Sequence, residues 1–233
     1  MEILKTAKEF FDWRSKTTSS VGFIPTMGAL HQGHLSLVKK SKEMCDNSAV
    51  SIFVNPTQFS PNEDLESYPK TLEHDIALLN DLNVDVLFLP SEEEMYVNVK
   101  DVEIPPSGLF EKLEGESRPH FFYGVTRIVS KLFNVVTPTH TFFGEKDAQQ
   151  LIIIQEMISK MNYKIDLIPC PTVRDENGLA LSSRNQYLSK EEQIEASFFS
   201  KALIQTRGLI NNGELNSSVL KNQFEEMLSA SKK

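Results

Sequence analysis

Cysteine is scarce: only Cys45 and Cys170 occur in 233 residues, far apart and without a C-x-x-C spacing. That excludes a disulfide scaffold and a thiolate zinc frame, and it fits reduced, buried thiols in a cytoplasmic protein. Long apolar runs are missing as well. The longest, around Val84 to Leu89 and Leu151 to Ile154, fall far short of the ~20 residues that a membrane helix needs. The N-terminus, Met1-Glu2-Ile3-Leu4-Lys5, carries early charge with no apolar stretch behind it to act as an export signal. Blocks of Lys and Arg are lacking too. With 32 acidic against 24 basic residues the formal charge is −8, so neither nucleic acid nor a membrane is an expected partner. An anionic substrate would have to be met by a local positive cluster working against the overall field.

What remains is an ordinary globular composition, 40% hydrophobic and 24% charged. The length fits either one large α/β domain or a large domain with a small appendage. Runs rich in β-branched residues at Val21 to Pro25, Ala49 to Val54, Val84 to Leu89, Thr139 to Phe143 and Ile165 to Cys170 read as strands. Helical spacing falls between them, at His34 to Cys45, Leu72 to Leu82, Phe122 to Val136 and Ala148 to Met161. Thr6 with Glu9, and Ser189 with Glu192, read as capping boxes that open further helices. The alternation predicts a Rossmann-like parallel sheet with crossover helices over residues 1–170. Two irregular stretches interrupt it, Asn55 to Tyr68 and Pro105 to Pro119, read as a lid and an inserted hairpin. Residues 171–233 change character and predict a small helical subdomain: a loop to Asn185, a capped helix, Asn211-Asn212-Gly213, and a final helix carrying Leu215, Val219, Phe224, Met227 and Leu228.

The chemistry concentrates where strands end. The first run leads into Thr26-Met27-Gly28-Ala29-Leu30-His31-Gln32-Gly33-His34 and then directly into a helix. Unpaired amide groups and partial positive charge at a helix start make a phosphate seat. Gly28 and Gly33 would let backbone approach a ligand, while His31 and His34, three apart, would face the same side. The pair also reads as turn residues or as part of a metal site, although no third ligand stands nearby and no H-E-x-x-H frame exists.

A second set, Phe143-Gly144-Glu145-Lys146-Asp147-Ala148-Gln149-Gln150, repeats the arrangement. Lys146 could neutralise phosphate oxygens, Asp147 could cap the helix and take a ribose hydroxyl, and Gln150 offers an amide to a polar substrate. Leu181-Ser182-Ser183-Arg184-Asn185 supplies two hydroxyls and a guanidinium, a phosphate-binding set. Asn55-Pro56-Thr57-Gln58-Phe59 supplies amides at the mouth of the sheet. Taken singly, these three also read as a capped helix, a turn with a surface ion pair, and a loop stopped by proline.

Taken together they resemble the pantothenate synthetase family, whose patterns P-T-M-G-A-L-H-x-G-H, F-V-N-P-x-Q-F, F-G-x-K-D-x-Q-Q and G-L-A-x-S-S-R-N all occur here in order, between about Val21 and Leu188. The resemblance implies a two-step ligation. The pantoate carboxylate attacks the α-phosphorus of ATP to give pantoyl adenylate and pyrophosphate, and the β-alanine amine then displaces AMP. It further implies that Met27, Gly28, Ala29, Leu30, His31, Gln32, Gly33 and His34 hold ATP, with His34 as proton donor and phosphate ligand. Gly144, Glu145, Lys146, Asp147, Val173, Leu181, Ser182, Ser183 and Arg184 complete the nucleotide site. His31, His34, Lys146 and Arg184 would carry the chemistry, with a Mg2+ ion that no set of protein side chains is expected to hold. Gln58, Gln150 and Asn55 would receive pantoate and β-alanine. A homodimer is implied.

Two departures stand out. The family reads R-P-G-H-F-x-G-V where this chain has Arg118-Pro119-His120-Phe121-Phe122-Tyr123-Gly124-Val125, and relatives continue into further strands where this chain stops at Lys233, which predicts a shortened C-terminal subdomain, hinged over the nucleotide. A related H-x-G-H adenylyltransferase, or a nucleotide-binding protein without turnover, remains an alternative.

Overall fold

Parallel strands buried on both faces need helices on each side, and the computed structural model, which describes residues 1–230, has that arrangement. Its strands are β1 (Glu2–Leu4), β2 (Val21–Thr26), β3 (Asn47–Ile52), β4 (Val86–Phe88), β5 (His140–Gly144) and β6 (Asp166–Cys170). They form one parallel sheet in the order β1-β4-β3-β2-β5-β6. Between them lie α1 (Ala7–Lys16), α2 (Gln32–Met44), α3 (Leu72–Asp81), α4 (Glu114–Ser117), α5 (Phe121–Val136) and α6 (Ala148–Lys160).

Successive residues of a strand point to opposite faces, and two separate cores follow from that. Phe23, Ala49, Val86 and Phe88 pack with Phe10 of α1, Leu132 of α5 and Ile154 of α6. Their strand neighbours Ile24, Val50 and Leu87 pack with Val38 of α2 and Leu79 of α3. β2, β3 and β4 are covered on both faces, and apolar residues therefore follow one another in their sequences, as in Phe23-Ile24, Ala49-Val50 and Val86-Leu87-Phe88.

The strand order also fixes where a ligand can sit. The chain leaves β2 for β3 on one side and leaves β5 for β6 on the other, so the sheet reverses between β2 and β5. The crevice beyond the C-terminal ends of those two strands is the binding position of open α/β sheets.

Several expectations need correcting. β1 was absent from the sequence reading, since three residues with one charge carry no period; it exists through pairing with β4. β3 ends at Ile52, two residues before the expected Val54, although the Phe53 amide still donates to the Thr26 carbonyl of β2 at 3.0 Å. No hairpin forms between Pro105 and Pro119. Turns lead to α4 instead, pinned by Gln149, whose Nε2 donates to the carbonyls of Leu109 and Lys112 at 2.9 and 2.7 Å.

The chain divides into two compact units, Met1–Pro171 and Thr172–Lys233. In the second, α7 (Lys190–Asn211) opens on the Ser189 and Glu192 capping box, and Phe199 meets Phe224 of α8 (Ser217–Ala230) edge-on at 5.3 Å. Leu215, expected within the last helix, lies before its start and is 78% exposed.

Candidate active site

The turn after β2 is held in a conformation that few sequences tolerate. Gly28 has φ +86° and Ala29 φ +50°, both left-handed. A Cβ on Gly28 would also press on Ile52 and Asp75 at 3.1 and 3.2 Å. Asp75, on α3 and 1% exposed, accepts the amide hydrogens of Ala29 and Leu30, both at 2.9 Å, and the Thr71 hydroxyl at 3.1 Å. Asp75 is not among the residues that the sequence motifs mark. Its signal was an acid four residues before buried Leu79, on the apolar side of a helix.

At the start of α2 the two histidines cap the helix reciprocally. Nδ1 of His31 accepts from the Gly33 amide at 3.1 Å, and Nδ1 of His34 accepts from the His31 amide at 3.3 Å. Their rings lie 4.0 Å apart, tilted by 32°. With Nδ1 occupied as an acceptor, each neutral ring carries its hydrogen on Nε2. Burial, with help from His31 and Lys146, pushes the pKa of His34 down to about 3. Burial and then Lys146 also lower that of His31. Both imidazoles are therefore neutral near pH 7. The hydrogen that the neutral His34 ring carries lies on Nε2.

Lys146 lies in a one-turn helix, Glu145–Asp147, between β5 and α6. Its charge reaches both imidazoles, so the loops after β2 and β5 share one place at the sheet reversal. Asp147 makes no side-chain cap to α6, contrary to expectation, and instead pairs with Lys146 at 3.3 Å. Gln150 sits in the first turn of α6, and its amide makes no hydrogen bond among the described residues.

The amide set after β3 is more enclosed than expected. Pro56–Gln58 form a single turn beneath α5. Asn55 is 1% exposed. Its Oδ1 accepts from the Thr57 amide and hydroxyl and from the Tyr96 hydroxyl, and its Nδ2 donates to Gln58 Oε1 at 3.0 Å and the Gly124 carbonyl at 3.1 Å. Gln58 Nε2 points to Met27 Sδ at 3.0 Å, which joins this turn to the β2 loop. Gly124 is required by close approach, since a Cβ there would lie 2.3 Å from the Thr57 carbonyl oxygen.

The departing segment is ordered around Arg118. Its guanidinium forks onto Glu63 with two bonds of 2.6 Å, reaches Glu114 at 2.9 Å and the Gln58 carbonyl at 3.4 Å, and lies 3.8 Å over the Phe121 ring. His120 takes φ +76° where the family pattern has glycine.

The remaining expected residues belong to the second unit. There Leu181 donates its amide to the Val173 carbonyl at 2.9 Å, and Ser182 Oγ accepts from the Arg184 amide at 3.3 Å to cap the turn Ser183–Tyr187.

Two neutral imidazoles and a lysine at the reversal point of a parallel sheet define a nucleotide-binding α/β protein of the H-x-G-H class. Residues 2–233 match the pantoate-beta-alanine ligase family, and the chain belongs to it. It is 44% identical over 228 residues to the pantothenate synthetase of Campylobacter fetus, covering 98% of this chain and 84% of the relative. To that of Fervidobacterium nodosum it is 48% identical over 227 residues, covering 97% and 80%. Among solved structures, pantothenate synthetase from Thermus thermophilus superposes with a TM-score of 0.92 at 40% identity, covering 99% of this chain and 83% of that one. The Francisella tularensis ligase, complexed with beta-gamma ATP and beta-alanine, gives 0.82 at 39%, covering 97% and 86%.

Proposed function

We propose that the chain joins pantoate to β-alanine with ATP through a pantoyl adenylate. A pantoate carboxylate oxygen attacks the α-phosphorus and pyrophosphate leaves. The neutral β-alanine amine then attacks the acyl carbon, AMP departs with the C–O electron pair, and the nitrogen loses a proton. The observation that carries this reading is the reciprocal histidine cap, which fixes two Nε2–H donors beside Lys146 at a helix start. Such a set neutralises charge that develops on phosphate without any covalent step. The Francisella ligase complexed with beta-gamma ATP and beta-alanine supports the choice of substrates.

In this reading Met27 to His34 and Gly144 to Asp147 hold the triphosphate, and Gln58 and Gln150 grip pantoate. Thr172–Lys233, with Val173, Leu181, Ser182, Ser183 and Arg184, serves as a hinged lid that contributes a guanidinium. Magnesium, a hard cation that prefers oxygen, fits the phosphate oxygens of the nucleotide better than this nitrogen-rich set. Among the described residues no three His, Cys, Asp or Glu side chains gather as a metal site. Two free cysteines, Cys45 and Cys170, support a cytoplasmic place. Family likeness supports a homodimer, which sedimentation would check.

Pantoate-dependent exchange between ATP and pyrophosphate tests the proposal. His34→Ala and Lys146→Ala should each lower it by roughly 10². Exchange that needs no pantoate would favour an adenylyltransferase, and binding without exchange a non-catalytic protein.

A further inference from the structure

Glutamine can face a ligand with either its carbonyl oxygen or its amino group, and for a carboxylate substrate the difference is attraction or repulsion. The surroundings of Gln58 settle which it presents. Asn55 is oriented by backbone groups whose roles are fixed: the Thr57 amide can only donate and the Gly124 carbonyl can only accept. Oδ1 of Asn55 therefore faces Thr57, and Nδ2 faces Gly124. The Tyr96 hydroxyl reinforces this by donating to the same Oδ1, and burial raises the phenol's pKa, which keeps it a donor. The Tyr96 ring is held in turn by the Arg127 guanidinium 4.8 Å and the Lys131 ammonium 5.3 Å from its centroid.

The second hydrogen on Asn55 Nδ2 is then committed to Gln58 Oε1 at 3.0 Å. Gln58 Oε1 is tied down, and its Nε2 is left toward Met27 and the β2 loop. Asn55 itself has every polar position used and is 1% exposed, so it has nothing left for a substrate.

We infer that Asn55 is a positioning residue that acts on pantoate only through Gln58, by fixing the glutamine amide so that its N–H groups, and never its carbonyl oxygen, meet the acid. This rests on the assignment of Gln58 to pantoate in the proposed function. It also narrows the ligand chemistry: whatever group faces Gln58 must be a hydrogen-bond acceptor, as a carboxylate or an alcohol oxygen is.

The test is a double-mutant cycle on the KM for pantoate in ATP–pyrophosphate exchange, with the KM for ATP as internal control. Gln58→Ala and Asn55→Ala should each raise the pantoate KM by roughly tenfold with little change for ATP, and the double variant should be no worse than Gln58→Ala alone. Asn55→Asp covers the case in which Asn55→Ala does not fold. It keeps the shape and the acceptor for Thr57 and Tyr96 but loses the donor, so Gln58 should invert and the pantoate KM rise, again with no further effect in the Gln58→Ala background. Losses that multiply in the double variants would show that Asn55 touches the substrate itself, and the inference would fall; so would an Asn55→Asp enzyme with the wild-type pantoate KM. If Gln58→Ala leaves the pantoate KM unchanged, it is the assignment of Gln58 that fails, and the inference falls with it.

Discussion

Asp75 on α3 accepts the amide hydrogen of Leu30 at 2.9 Å across 45 residues of chain. With the bond to Ala29 it ties the left-handed turn before the histidine pair to a helix that follows a different strand. Asp75→Ala would leave the buried amide hydrogen of Leu30 unpaired, at a cost of about 1 to 3 kcal/mol. Urea unfolding should therefore show a large loss of stability, and the KM for ATP should rise more than that for pantoate. An unchanged ATP KM in a folded Asp75→Ala protein would mean that the turn holds itself.

The neutral histidine pair gives stability a direction with pH. His34 has a folded pKa of about 3, against an ordinary value near 6.5. The unfolded chain thus binds a proton between those values that the folded chain refuses. The contribution is fully present above about pH 6.5 and is lost as pH falls toward 3, by at most ~1.4 kcal/mol per pH unit. Chemical unfolding at pH 7 and pH 4.5 should show this slope, and it should flatten in His34→Gln. A slope that persists in the variant would assign the effect to other groups.

Gly124→Ala should harm pantoate binding without touching a ligand. The new methyl would strike the Thr57 carbonyl and the Gln58 amide, both backbone, so the turn that carries Gln58 must shift. Overpacking of this kind costs about 1 to 3 kcal/mol. Calorimetry should find weaker pantoate binding together with a lower melting temperature, and a loss of stability alone would mean that the turn recovers its place.

If Thr172–Lys233 closes over nucleotide, its amide hydrogens should exchange more slowly once ATP is bound. Lids come from the less stable parts of a structure, and α7 leaves Phe199, Leu203 and Ile204 exposed. Protection between Leu188 and Leu228 should rise on adding ATP. Strong protection that ATP leaves unchanged would point to a rigid tail.

How far these features could be read in advance depends on how local they are. The Thr6 and Ser189 capping boxes are written within four residues each, and both formed as expected. The strand-to-helix turn with His31 and His34 is likewise contiguous, and the four motifs of the site lie in uninterrupted stretches. Asp147 misled because the residue before a helix is a good guess for a cap; here the one-turn helix at Glu145 intervenes, and the acid turns to Lys146 instead. Tyr96 was invisible because its partner Asn55 lies 41 residues away and nothing near Tyr96 marks it. Pro105 to Pro119 read as an inserted hairpin because it interrupts the strand and helix alternation, but its turns are pinned by Gln149, a side chain that belongs to α6.

Among the described strands β1 comes first in the chain, yet its one pairing there is with β4, Glu2 to Leu4 lying against Val86 to Phe88. At ribosomal rates of about 5 to 20 residues per second, several seconds separate its synthesis from that of its partner. During that interval it has nothing to bind, and afterwards the outer rim of β4 stays open until it arrives. A bare rim of that kind invites pairing with another chain. Shortening the chain by residues 2–4 should therefore show first as aggregation during expression, before any loss of activity in the protein that survives.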